Sequence, residues 1–142
     1  MEDKHGNIWI HNWGFISVYH PLTGRINRIE IADDSWYPGS GNIQNFCKDE
    51  QGNIWIVTGE NIYKYDSVKN KCITWLFVGR RPGADYRRPN NIIYDPNKKS
   101  LWLARESEIL LIDIQSKKIT RPFFTYHPGE ADIPEAFTIS TF

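Results

Sequence analysis

GNIWI at Gly6–Ile10 returns letter for letter as GNIWI at Gly52–Ile56, 46 residues later. A looser copy, KSLWL, spans Lys99–Leu103. The tryptophans in these copies, Trp9, Trp55 and Trp102, stand 46 and 47 residues apart. A fixed period of this length marks a repeat architecture, and it governs how every other residue is read.

The second copy is the most complete. NIQNFCKD (Asn42–Asp49) has Ile43 and Phe46 as apolar anchors, and EQGN follows as a turn in which Gly52 is free to take a positive φ. IWIVT (Ile54–Thr58) is dense in β-branched and aromatic residues and reads as a strand. A turn at Gly59 leads to IYKYD (Ile62–Asp66), and the polar SVKNK leads to CITWLF (Cys72–Phe77). One period therefore holds four short strands. The first copy supplies IWIH, FISVYH and RINRIEI for strands two to four; the third supplies NIIYD, SLWLAR, EILLID and KITRPFF for all four. No apolar spacing of 3.6 is sustained, so no helix is expected.

Four antiparallel strands per ~40–50 residues, repeated, describe the blades of a β-propeller. The burial pattern agrees. A sheet with one wet face alternates apolar and polar, whereas NIWIV, EILLIDI and CITWLF are apolar on both faces. A blade held between two neighbours buries both faces. Trp9, Trp55 and Trp102 are accordingly expected between blades, each ring removing on the order of 150–250 Å² from water. The glycine of the shared motif makes the turn and its asparagine tolerates the turn geometry.

The expected fold class is thus all-β, a partial propeller of about three four-stranded antiparallel blades, either an open arc or a fragment of a larger propeller. The divisions are 1–32, a blade without its first strand; 42–78 and 90–125, complete blades; and 133–142, the first strand of a further blade. Alternatively Ala136–Ser140 completes the first blade. Either way both end faces are apolar and fit neighbouring propeller blades or another copy of the chain.

Composition suits such a fold. The 142 residues are 40% apolar and 14% aromatic, enough bulk for a core. Lys plus Arg equals Asp plus Glu at 17 each, which offers no global field for nucleic acid. No apolar run is long enough for a membrane span, and MEDKHGNIWI has no signal-peptide pattern. Cys47 and Cys72 fall in the first and fourth strands of one blade. With strands ~4.8 Å apart, about 14 Å separates them, too far for a disulfide, so two free thiols are expected.

CKDEQGNIWIVTGENIYKYDSVKNK resembles the two-component regulator propeller repeat, a pattern of roughly D-x-x-G-N-[IL]-W-[IV]-x-T followed by a glycine, an aliphatic, a Tyr and an Asp. Asp49, Gly52, Asn53, Trp55, Thr58, Tyr65 and Asp66 match it. In the first copy Asp3, Gly6, Asn7, Trp9 and Tyr19 match, while Asn12 and His20 depart; in the third, Lys99-Ser100 replaces Gly-Asn and Ile112 replaces the Tyr. The resemblance implies the extracytoplasmic sensor region of a hybrid two-component system of the kind common in gut Bacteroidetes. It further implies an oligosaccharide ligand for the parent protein, and a periplasmic or extracellular location on a membrane-anchored parent that carries a histidine kinase. The motif is structural and assigns no ligand-binding residue.

Candidate ligand contacts come instead from the connectors, because loops carry function on a strand scaffold. DDSWYPGSG offers Trp36 and Tyr37; GRRPGADYRRPN offers Arg80, Arg81, Tyr86, Arg87 and Arg88; TYHPGEADIP offers Tyr126 and His127. Turns between second and third strands add Trp13, Glu60 and Arg105 on the same face. Aromatic planes beside guanidinium forks suit a sugar, above all an acidic one. Catalysis has little foothold: His5, His11, His20 and His127 show no ligand spacing, and no nucleophile grouping, metal motif or cofactor motif stands out. The alternatives to a sensor are an enzyme of the streptogramin-lyase type, whose repeats share a G-N-[IV]-W turn, and a protein-interaction scaffold. The first strands carry no His, which weighs against the enzyme.

Overall fold

The computed structural model describes residues 1–12, 15–31, 43–79, 89–105 and 108–122. Among them the secondary structure is entirely β, in three antiparallel sheets. The first sheet is β1 (Ile8–Asn12), β2 (Phe15–His20) and β3 (Arg25–Glu30). The second is β4 (Asn45–Lys48), β5 (Ile54–Val57), β6 (Asn61–Asp66) and β7 (Lys71–Phe77). The third is β8 (Pro89–Asp95), β9 (Ser100–Arg105), β10 (Glu108–Asp113) and the two-residue β11 (Ile119–Thr120). Every strand pairs with its neighbours in sequence, so each sheet is a simple meander. In the first sheet a stub stands where the others have a first strand. Glu2 bridges Ile8, Trp9 N donates to Met1 O at 2.8 Å, and Asp3 N donates to Asn7 O at 2.9 Å.

Two apolar cores lie between the sheets. One joins Trp9, Ile16, Val18 and Ile29 of the first sheet to Ile54, Ile56, Tyr63 and Cys72 of the second, with Ile43 just before β4. The other joins Trp55, Val57 and Ile62 of the second sheet to Ile92, Leu101, Leu103, Leu110 and Ile112 of the third, with Val78 just after β7. Strand β5 shows why the sequence abandons alternation. Ile54 and Ile56 point into the first core, Trp55 and Val57 into the second, and all four are buried. The two leading strands β4 and β8 pack against each other, and Asn45 Nδ2 donates to Asn91 Oδ1 at 2.7 Å. These two asparagines stand 46 residues apart, at one position of consecutive repeats. The all-β propeller architecture read from the repeats is therefore the observed one.

Cys47 and Cys72 sit on the two edge strands of the second sheet and serve opposite cores; both are free thiols. Burial pushes both up to about 12, so neither is a reactive thiolate near neutral pH.

The outer faces differ from the inner ones. Trp9 and Trp55 are buried between sheets, whereas Trp102 is only half-buried, because no sheet covers its face among the described residues. Beside it Ile93 is 48% exposed. On the opposite outer face Ile10 is 55% and Ile26 68% exposed.

Ile10 and Ile56 occupy one repeat position in opposite circumstances, since Ile56 is 0% exposed. Ile56→Ala is expected to cost about 2–5 kcal/mol through lost burial and the cavity left behind. Ile10→Ala should stay within about 0.5 kcal/mol. Urea unfolding midpoints of the two variants, measured side by side, check the difference.

Candidate functional site

The motif that spells the repeat is built around a carboxylate. Asp49 Oδ1 accepts hydrogen bonds from the backbone N–H groups of Gln51 (3.1 Å) and Asn53 (2.8 Å). Its Oδ2 accepts from Asn53 Nδ2 (2.7 Å) and Trp55 Nε1 (3.0 Å). Asp49 is 5% exposed, and a carboxylate that far from water needs these four donors. Asp3 repeats the pattern: it accepts from His5 N and Asn7 N at 2.8 and 3.0 Å, and from Asn7 Nδ2 and Trp9 Nε1 at 2.9 Å each. Asn7 and Asn53 therefore do more than tolerate the turn, because their amides fasten the acid. Gly6 and Gly52 close both turns at φ 77° and 79°. At Gly52 a Cβ would also meet Lys4 of the first sheet at 2.7 Å.

The third copy lacks both Gly and Asn, yet Asp95 still accepts from Trp102 Nε1 at 3.0 Å. Lys99 takes the turn at φ 48°, and Asp95 Oδ1 caps Asn97 N and Lys98 N. At the other turn of the same sheet ends, Asp66 caps Val68 N and Lys69 N, and Asp113 caps Ser116 N and its hydroxyl. His20 replaces the acid in the first sheet and bridges Asn7 Oδ1 (2.8 Å) and Asn27 Nδ2 (3.1 Å) through its two ring nitrogens.

At the opposite strand ends stand the connectors. Trp13, Trp36, Tyr37, Arg80, Arg81, Tyr86, Arg87, Arg88, Tyr126 and His127 lie outside the described residues, as does the segment Ala136–Ser140. Arg105, at the end of β9, is described. Its Nη1 pairs with Glu108 Oε1 at 2.9 Å, and its Nη2 donates to the Val78 carbonyl of the second sheet. Glu108 also pairs with Arg121 at 3.4 Å. With its side chain 12% exposed, Arg105 clamps the exit of β7 to the β9–β10 turn, and only its Nε is buried without a partner. His11 rests edge-on against Phe46, ring centroids 5.4 Å apart.

One groove the sequence did not signal lies between the second and third sheets, on the capped-turn side. It measures about 420 Å³ and is lined by Lys64, Tyr65, Asp66, Thr74, Trp75 and Lys117. Trp75 enters it through a β-bulge: Tyr63 pairs with Thr74 and Ile62 with Leu76, leaving Trp75 unopposed. Its ring meets Trp55 edge to face at 4.8 Å. Lys64 Nζ stands 5.3 Å from the Trp55 ring, and Lys117 Nζ stands 5.5 Å from the Trp75 ring and donates to Trp75 O at 3.0 Å. Among the described residues no group of three or more His, Cys, Asp or Glu is arranged to hold a metal ion. No helix among them is long and apolar enough to cross a membrane, which says nothing of β-barrels.

Residues 37–60 match the two component regulator propeller family model. The matched segment contains Asp49, Gly52, Asn53 and Trp55, the residues of the carboxylate-anchored turn. No curated protein matches the chain in sequence. Among solved structures, the fold is similar to the extracellular domain of the putative hybrid two component system BT4673 from B. thetaiotaomicron, at TM-score 0.65 and 16% identity over 88% of this chain and 16% of that one. It is also similar to the extracellular domain of the putative hybrid two component system BT3049 from the same organism, at TM-score 0.58 and 20% identity over 86% of this chain and 16% of that one. At these identities the likeness speaks for the fold. The chain spans about one sixth of the length of these structures.

The carboxylates make stability pH-dependent with a definite sign. Burial alone would raise Asp3, but hydrogen bonds from Trp9, Asn7 and His5 outweigh it and hold the carboxyl at about 2 against the usual 3.8. Asp95 is lowered as well, first by Trp102. A depressed folded value means that the stabilisation is complete above the unfolded value and is lost as the pH falls from about 4 towards 2. Urea midpoints across that range should drop, and Asp3→Asn should flatten the drop. Asp49→Asn should cost about 2–3 kcal/mol at neutral pH, because an amide N–H₂ would face donors where an oxygen now accepts.

Proposed function

We infer that the chain is part of an extracytoplasmic ligand-sensing propeller of a hybrid two-component regulator, and that it acts by binding rather than by catalysis. The observation that carries this reading is the two component regulator propeller match at residues 37–60, lying on a turn whose aspartate-to-tryptophan hydrogen bond recurs in all three sheets. The similarity to extracellular domains of putative hybrid two component systems supports placement outside the cytoplasm, on a parent that reports to a histidine kinase.

The proposed ligand is an oligosaccharide. Support comes from the connectors, where aromatic residues (Trp36, Tyr37, Tyr86, Tyr126) accompany arginines (Arg80, Arg81, Arg87, Arg88). An aromatic face packs on the C–H face of a sugar ring while guanidinium forks take carboxylate or sulfate. Arg105 is committed to Glu108 and the Val78 carbonyl, so its contribution is to hold the root of the Arg-rich connector.

The open outer faces suit further blades of the same kind, in the same protein or a second copy. Ile93 and Trp102 on one face and Ile10 and Ile26 on the other occupy repeat positions whose counterparts inside are covered.

The test is calorimetric titration of the whole sensor protein with a panel of neutral and acidic oligosaccharides. Saturable heat with at least one acidic sugar is expected, weakened about tenfold or more when Arg87 and Arg88 are both replaced by Ala. No heat with any sugar would overturn the oligosaccharide assignment.

A further inference from the structure

The repeat separates structural demand from local choice. Residues that the sheet stack needs recur from one blade to the next, and three residues lining the groove between the second and third sheets, Lys64, Trp75 and Lys117, do not. Lys64 lies opposite Trp55 in the strand register. The residue opposite Trp9 is Val18, and the one opposite Trp102 is Leu111. A lysine thus stands where both other sheets carry an aliphatic side chain. Trp75 has no counterpart in the first sheet, because it is the extra residue of the β6–β7 bulge and β2 pairs with β3 without a break. Bulges re-aim side chains and are frequent beside functional sites. Lys117, at φ 58° in the β10–β11 turn, corresponds to Asn70, at φ 49° in the β6–β7 turn. The backbone conformation recurs and the positive charge does not.

Packing explains only part of this set. The ring of Trp75 fills space against Trp55, but nothing in the packing calls for two ammonium groups over the same indole pair. Among the described residues, the recorded ion pairs are Lys69–Asp66, Arg105–Glu108 and Arg121–Glu108, so neither Lys64 nor Lys117 is neutralised. The groove's one carboxylate, Asp66, is already occupied by Val68 N, Lys69 N and the Lys69 ammonium.

We propose that this groove is a binding site for a small anion that carries an apolar ring face. The ring packs on the exposed part of Trp75, and the carboxylate is held between the ammonium groups of Lys64 and Lys117. An aromatic carboxylate and a carboxylated pyranose share this chemistry, and about 420 Å³ accommodates either. The site lies at the capped-turn ends of the strands, opposite the connectors, so it is independent of the oligosaccharide reading and stands or falls separately.

Calorimetry of the full chain with benzoate and with glucuronate tests the assignment, with benzamide and methyl glucoside as neutral counterparts. Saturable binding of at least one anion is expected, its neutral counterpart binding about tenfold more weakly or worse. Binding of benzoate alone assigns the aromatic source, and of glucuronate alone the sugar. Lys64→Gln with Lys117→Gln should lower the affinity about tenfold or more. The single Lys117→Gln variant, on an exposed turn, gives the same reading with the fold untouched. Absence of binding by both anions overturns the proposal. So does equal affinity for a neutral counterpart, or affinity unchanged by the lysine substitutions.

Discussion

A buried indole has one polar atom, and the whole stack depends on where that atom finds its partner. Placing a tryptophan between two sheets gains a large apolar contact but leaves Nε1–H without water. Asp3, Asp49 and Asp95 solve this from the preceding turn, at 2.9, 3.0 and 3.0 Å. The same carboxylate ties down backbone N–H groups of the turn, so one side chain fixes the hairpin and aims the ring. The third copy ranks the members of the motif. Its turn is one residue longer and has lost Gly and Asn, yet the acid-to-indole bond keeps its length. The glycine and asparagine make the turn easier to form; the aspartate and tryptophan are what the sheet stack requires.

Complementarity across each interface then follows from what meets the ring. Trp9 meets Tyr65 of the second sheet edge to face at 4.9 Å. The register equivalent of Tyr65 in the third sheet is Ile112, a smaller side chain. At that interface the edge-on aromatic partner of Trp55 is Trp75, delivered by the bulge of its own sheet at 4.8 Å. Two interfaces with one backbone plan thus reach similar aromatic packing by different routes. The volume a repeat leaves open at one position is recovered at another, as close-packed interiors demand.

Much of the fold was legible because a repeat states its structural needs more than once. Trp9, Trp55 and their flanking isoleucines, dense on both faces, announced sheets buried on both sides. The role of Asp49 was not legible, since an aspartate before Gly-Asn already has a sufficient explanation as a turn former. Only the folded chain brings its second oxygen to an indole six residues on. The bulge at Trp75 was hidden for another reason: CITWLF is apolar throughout and has no alternation for an extra residue to break. Arg105 stands in the sequence as a candidate ligand contact, although an arginine three residues before Glu108 across a strand-to-strand turn also carries the signature of a cross-strand ion pair. The connector residues belong to sequence that does not recur, where no second copy exists to separate a structural residue from a functional one.

The open faces follow from the same logic. Stability in a stack of sheets is a sum of what each sheet holds alone and what each interface adds. The second sheet has both its faces covered, and Ile56 on one face and Val57 and Ile62 on the other are fully buried. Among the described residues the first and third sheets each have one interface and carry the same residue classes on the other side. Adding a sheet of this type to either end covers one such face and presents another, so the exposed area does not shrink until the ends of the arc meet. Uncovered sheet surface of this kind favours non-specific association. Ile10, Ile26, Ile93 and Trp102 therefore mark, among the described residues, the two outer faces that one more sheet of this type would cover.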